Sequence, residues 1–114
     1  LKYESDTLII GKSKKDLLIL KKLFSDVLAT QNESLSSIIN CVKESKKFKR
    51  TIVIFDSDNH GVDACKTITS TYNWEYWNTP NYLLQEKNIK DIPEYVFEFG
   101  LKTLEKRFKE KGIL

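Results

Sequence analysis

The chain has 114 residues, of which 40% are hydrophobic and 31% charged, the size and composition of one globular domain with a single core. These values exclude two domains and argue against wholesale disorder. The net charge of +3 permits contact with nucleic acid but does not by itself predict it.

The sequence also indicates the cellular compartment of the protein and excludes one kind of metal site. No apolar run approaches the roughly 20 residues of a membrane helix, and no basic-then-apolar leader opens the chain, so we expect a cytoplasmic protein without membrane contact. Two cysteines lie far apart and there is one histidine, which excludes a zinc site. Because the chain starts at Leu1 and contains no Met, we expect it to be part of a longer protein.

The first half of the chain alternates between strand and helix patterns. Thr7–Ile10 is a short apolar, β-rich run that stops at Gly11, and from Ser13 the apolar positions follow a helical period. A second brief strand is predicted over Val27–Thr30, and a further helix after Ser34. The pattern therefore begins as strand, helix, strand, helix.

The strongest predicted strand is Thr51–Phe55, which is apolar on both faces, as is typical of a central strand covered by helices on both sides. It ends abruptly in Asp56-Ser57-Asp58. A third helix is predicted over about 60–70 and a fourth strand over Trp74–Trp77.

The C-terminal part is predicted to be a loop at 78–81 and then helical from Asp91 to Lys111, with a break at Gly100. An apolar stripe is predicted on these helices at Phe97, Leu101, Leu104 and Phe108. The whole order predicts one α/β domain over residues 1–114, a three-layer, Rossmann-like fold with a mainly parallel four-stranded sheet flanked by helices. In such sheets, binding residues collect at the carboxyl ends of the strands.

Asp56 and Asp58 form the most informative pair. Two carboxylates one residue apart at a strand end repel each other unless a cation or a proton lies between them, which favours a site for Mg²⁺ or Mn²⁺. The alternative is that Asp58 or Asn59 merely caps the following helix, although capping explains one carboxylate and not both.

Other polar residues near the same edge have two interpretations each. Ser13 and Asp16 have the spacing of a capping box, and Asp16 is equally a candidate site residue. Asp91 and Glu94 also have the spacing of a capping box. The alternative interpretation is that Asp91 is a third carboxylate ligand of the metal. A phosphate-loop motif is excluded, because Asp6 stands where its first glycine is required.

Cationic and aromatic side chains supply the remaining candidates. Lys12, Lys14 and Lys15 are either phosphate contacts or a solvated turn. The aromatic residues of the fourth strand either stack on bases or belong to the core. These residues are Trp74, Tyr76 and Trp77.

Two segments resemble the Toprim domain of bacterial and phage DNA primases, topoisomerases and some nucleases. The family's first motif, a strand ending in Glu-Gly-x-x-Asp, is matched at Asp16 by the segment 12–16. Its second motif, an apolar strand ending in Asp-x-Asp and followed shortly by Gly, resembles 52–64 with Asp56, Asp58 and Gly61. A third, primase-like stretch is similar to 90–94, so the resemblance covers about residues 7–96.

The resemblance implies the catalytic domain of a primase that joins ribonucleotides on a DNA template. Two Mg²⁺ or Mn²⁺ ions would be held by Asp56, Asp58 and Asp91, with nucleoside triphosphates and DNA as ligands and a replicative helicase as a further partner. This sequence departs from the family pattern at one important position, where Lys12 replaces the Glu of the first motif. Glu33 is the candidate to take over the catalytic role of that Glu.

Two alternatives remain open for the function. The first is a catalytically silent Toprim module that binds DNA or a partner protein, which Lys12 favours. The second is a phosphatase of the haloacid dehalogenase type, which also uses a strand ending in Asp-x-Asp but places it on its first strand.

Overall fold

A computed structural model describes residues 6–30, 41–56 and 59–114. The predictions for Glu33 and Asp58, and for the first part of the helix after Ser34, therefore concern residues outside the described ranges. The elements, in chain order, are β1 (Thr7–Gly11), α1 (Lys14–Leu20), β2 (Val27–Ala29), the helical residues 41–45 (α2), β3 (Arg50–Phe55), α3 (Asn59–Tyr72), β4 (Glu75–Asn78), α4 (Asn81–Lys87), α5 (Ile92–Phe99) and α6 (Leu101–Glu110).

The four strands form one sheet in the order β2-β1-β3-β4, and every pairing is parallel. Strand β1 pairs with β3 in the register Ile9 to Ile52, so these two strands occupy the centre. Residues 51–55 are all buried, as the two-sided apolar run predicts. The predicted α/β fold with a four-stranded parallel sheet and flanking helices is confirmed.

Side chains alternate between the two faces of the sheet, and each face has its own core. On one face, Leu8, Val53 and Phe55 pack with α2 and α3 through Cys41 and Cys65. On the other face, the alternate positions of the central strands pack with α1, α5 and α6, and the members of this cluster include Ile9, Leu20, Ile52, Ile54, Ile92, Leu104 and Phe108. Helices therefore cover both faces of the sheet.

Two local expectations are corrected. The loop predicted at 78–81 is shorter, because Asn78 ends β4 and Asn81 begins α4, so that only Thr79 and Pro80 connect them. The sequence did not predict α4. Phe97 does not join the apolar stripe but is 92% exposed. Helix α5 buries Ile92 and Tyr95, and Gly100, at φ 90°, ends that helix before α6 begins. The predicted break at Gly100 is therefore confirmed, and so is the apolar stripe at Leu101, Leu104 and Phe108.

Within the described ranges, no helix combines the length and the apolar character needed to cross a membrane.

Candidate functional site

Three aspartates from different parts of the chain line one pocket at the carboxyl edge of the sheet. Asp16 comes from α1, Asp56 follows β3 directly, and Asp91 precedes α5. The pocket has a volume of about 420 Å³, and its cationic lining comprises Lys12, Lys14, Lys15 and Lys90. Because β1 and β3 are parallel neighbours, the segments that follow them meet at this edge.

Asp16 is held by the first turn of α1. Its Oδ2 accepts hydrogen bonds from the Ser13 Oγ at 3.1 Å and from the Ser13 backbone N–H at 3.2 Å. In return, the Ser13 Oγ accepts from the Asp16 backbone N–H, so the predicted capping box is confirmed. The same carboxylate faces the pocket and is 3% exposed.

Burial raises the pKa of Asp16 from 3.8 to about 6. The hydrogen bond from the Ser13 side chain opposes this rise, whereas the negative charges of Asp56 and Asp91 add to it. The carboxylates are therefore close enough to repel one another. A shared cation would relieve that repulsion.

Gly11 allows the close approach of α1 that brings Asp16 to this position. A Cβ at Gly11 would lie 3.3 Å from the Cβ of Asp16 and 3.3 Å from the Cδ1 of Leu20. Since both neighbours belong to α1, a side chain at Gly11 would push the helix away from the sheet.

Asp56 is buried, with 3% of its surface exposed, and is paired with a cation. The Lys12 Nζ lies 2.8 Å from its Oδ2 and donates a hydrogen bond to it. A buried carboxylate is costly unless a positive group compensates it, and Lys12 supplies that charge here. The backbone carbonyl of Asp56 accepts from the Asn78 Nδ2 at 2.9 Å, which fastens the end of β3 to the end of β4.

Asp91 is the N-cap of α5, since its Oδ1 accepts from the Glu94 backbone N–H at 2.9 Å. The Glu94 carboxylate accepts from the backbone N–H of Lys90 at 3.0 Å, one residue before the position that a strict capping box requires. Burial raises the pKa of Asp91, the Glu94 N–H lowers it, and the charges of Glu94 and Asp56 raise it further.

The carboxylate oxygens around this pocket are of the kind that Mg²⁺ and Mn²⁺ prefer, so the donor chemistry fits these metals. Among the residues that the structure describes, no group of three or more His, Cys, Asp or Glu side chains is arranged to hold a metal ion. Asp58, the partner of Asp56 in the sequence motif, is not among those residues.

The structure gathers six of the predicted residues at one pocket, namely Lys12, Lys14, Lys15, Asp16, Asp56 and Asp91. Gly61 lies in the first turn of α3, the helix that follows β3 in the chain. Sequence reasoning assigned no role to Lys90, which also lines the pocket. The position of Lys90 next to Asp91 in the sequence is the signal from which its place at the pocket could have been predicted. The pairing of Lys12 with Asp56 was missed too.

No protein-family model matches the chain, and no curated protein matches it. The likeness to the Toprim domain accordingly rests on the three motifs described above.

Proposed function

We propose that this chain is a Toprim domain of the DNA primase type, and that its pocket carries out Mg²⁺-dependent nucleotidyl transfer during primer synthesis. The observation that carries the proposal is the convergence of Asp16, Asp56 and Asp91 on a pocket rimmed by lysines. Aspartates favour a divalent cation and lysines favour phosphate groups, and a metal-bound nucleoside triphosphate presents both.

The chain's own residues divide into two roles. Asp56 and Asp91, together with Asp58, would hold Mg²⁺, which when bound activates the primer 3′-hydroxyl and neutralises charge on the triphosphate. Lys14 and Lys15 lie exposed at the rim, where they bind and orient the phosphates.

Asp16 is suited to a proton-transfer role in the same reaction. A carboxyl group with a pKa of about 6 accepts a proton more readily near neutral pH than an ordinary aspartate does. Its Oδ2 is fixed by Ser13, so its orientation toward the pocket is maintained without substrate. We therefore assign Asp16 as the acceptor of the 3′-hydroxyl proton.

The second candidate is a catalytically silent Toprim module that binds DNA or a partner protein. The observation that favours it is the Lys12–Asp56 ion pair of 2.8 Å, because this pair compensates the buried carboxylate without a metal. The phosphatase alternative has less support, since its nucleophilic aspartate belongs on the first strand and Asp56 follows β3.

Primer synthesis on a single-stranded template separates the two candidates. We expect Asp56→Asn to abolish synthesis, because a metal ligand is lost. We expect Lys12→Ala to slow synthesis about ten- to a hundredfold, because the variant loses one charge-assisted contact of the lysine ammonium. The matched control is Asp63→Asn, an exposed aspartate on α3, which we expect to be neutral. Undiminished synthesis by Asp56→Asn would end the catalytic proposal and leave the silent module.

A further inference from the structure

A second depression lies beside β4 and includes the residues that follow this strand. It has a volume of about 570 Å³ and is bounded by the edge strand β4, by α4 and by the end of α6. The side chains that distinguish it are Tyr76, Tyr82, Arg107 and Lys111. None of the described residues that line it is acidic.

The two tyrosines present aromatic rings to solvent. Tyr76 is 47% exposed and Tyr82 is 51% exposed, whereas the neighbouring Trp77 is buried and packs edge-on against Phe108. The aromatic residues of β4 thus divide between the two interpretations offered for them: Trp77 belongs to the core, and Tyr76 remains accessible. Accessible aromatic rings are platforms on which nucleobases stack.

The cations lie on one side of the groove. Arg107 lies in the last turn of α6, Lys111 follows the helix directly, and both line the groove. The Arg107 guanidinium donates to the Tyr82 hydroxyl at 3.5 Å, which places a positive charge at the edge of an exposed ring. A ligand that matches this groove is anionic and has flat aromatic faces.

Hydrogen bonds join residues that line the groove to residues that line the aspartate pocket. Asn78, at the end of β4, lines the groove and donates its Nδ2 to the Asp56 carbonyl at 2.9 Å. Thr79 also lines the groove and donates its hydroxyl to the carbonyl of Lys90, which lines the pocket. A chain molecule lying in the groove would therefore pass directly beside the pocket.

We infer that this groove binds single-stranded nucleic acid, with bases stacked on Tyr76 and Tyr82 and phosphates contacted by Arg107 and Lys111. A single strand fits better than a duplex because its bases are free to stack on side chains. The inference stands on the lining of the groove and does not require that the aspartate pocket be catalytic. An added protein strand at the β4 edge is the competing occupant, and it would use the strand's backbone, not the tyrosine rings.

The test is fluorescence anisotropy of a labelled oligothymidylate of about twelve nucleotides with the 114-residue chain, in EDTA and at several salt concentrations. We expect Tyr82→Leu, which keeps an apolar side chain but removes the ring, to weaken binding about ten- to a hundredfold. We expect Arg107→Gln to weaken binding and to reduce the dependence of log affinity on log salt by about 0.7. A duplex of equal length should bind more weakly than the single strand.

Lys102→Gln is the matched control, because Lys102 is an exposed cation on the same helix that does not line the groove. We expect it to leave the salt dependence unchanged. Equal affinities for the wild type, Tyr82→Leu and Arg107→Gln, or no binding by the wild type at low salt, would overturn the inference and leave the β4 edge as a protein contact. Because the assay contains no metal and no nucleotide is consumed, its outcome is independent of primer synthesis.

Discussion

Asp16 and Asp56 are both buried carboxylates, yet the chain stabilises them by different means. Asp56 has a lysine ammonium at 2.8 Å, whereas Asp16 has the hydroxyl and the backbone N–H of Ser13. Hydrogen bonds from neutral donors compensate a negative charge less completely than a cation does. Burial therefore raises the pKa of Asp16, because the hydrogen bonds from Ser13 offset only part of its effect.

This raised pKa predicts that stability falls as the pH rises through the titration of Asp16. Between pH 3.8, the ordinary pKa, and about 6, the folded protein keeps a proton that the unfolded chain releases, so the free energy of unfolding decreases by about 3 kcal/mol across this range. Above about pH 6, the loss from this group is complete. Urea denaturation at a series of pH values measures the effect.

Asp16→Asn removes the titrating group while keeping an oxygen acceptor for the cap, so we expect a flatter pH profile than that of the wild type. The control, Asp63→Asn on the exposed face of α3, should retain the wild-type profile. If Asp16→Asn and the wild type lost stability equally between pH 4 and 6, Asp16 would not carry the shift.

The ion pair between Lys12 and Asp56 leads to a second prediction, which concerns the free energy of unfolding. Lys12→Gln leaves the Asp56 carboxylate buried without its cation, and we expect the free energy of unfolding to fall by about 1–3 kcal/mol. Added Mn²⁺ should restore part of the loss if a metal can replace the ammonium. Lys14→Gln, at an exposed lysine of the same pocket, should change stability by less than about 0.5 kcal/mol. Equal values for the two variants in chemical denaturation would mean that the pair does not stabilise the fold.

At the scale of elements, α6 completes the core that covers one face of the sheet. Phe108 is fully buried between Phe24, at a ring-centroid distance of 5.8 Å, and Trp77, at 5.1 Å. Leu104 lies one turn earlier and is also fully buried. The same helix therefore anchors the core through one face and presents Arg107 and Lys111 to the groove through another.

Two phenylalanines on successive helices provide a matched test of this packing. We expect Phe108→Ala to lower the free energy of unfolding by about 3–5 kcal/mol, because it leaves a cavity among aromatic rings. Phe97→Ala should change it by less than about 0.5 kcal/mol, because Phe97 is 92% exposed. Thermal or urea denaturation of both variants measures these changes. Equal losses in the free energy of unfolding would contradict the placement of α5 and α6.

The sequence predicted those elements whose signal is local and strong. A two-sided apolar run defined β3, and the Ser13 and Asp91 patterns located the starts of α1 and α5. Helix α4 escaped prediction because seven polar-rich residues after Pro80 are too few to show a helical period. The Lys12–Asp56 pair could not be predicted either, since its partners are 44 residues apart and only the parallel pairing of β1 with β3 brings them together.

At the scale of the whole molecule, the parallel sheet gathers residues that are remote in the chain. All four strands run in the same direction, so the segments that follow β1, β3 and β4 meet at one edge. One consequence is the pocket of aspartates and lysines, and the other is the adjoining groove of tyrosines and cations. We propose that the aspartates of the pocket bind a divalent metal.

Isothermal titration calorimetry with Mn²⁺ tests this claim most directly, using the wild type, Asp56→Asn and the exposed control Asp63→Asn. We expect weak binding by the wild type, the same affinity for Asp63→Asn, and at least about tenfold weaker binding by Asp56→Asn, a loss of about 1.4 kcal/mol or more. Equal affinity of the wild type and Asp56→Asn, or no binding by the wild type, would contradict it.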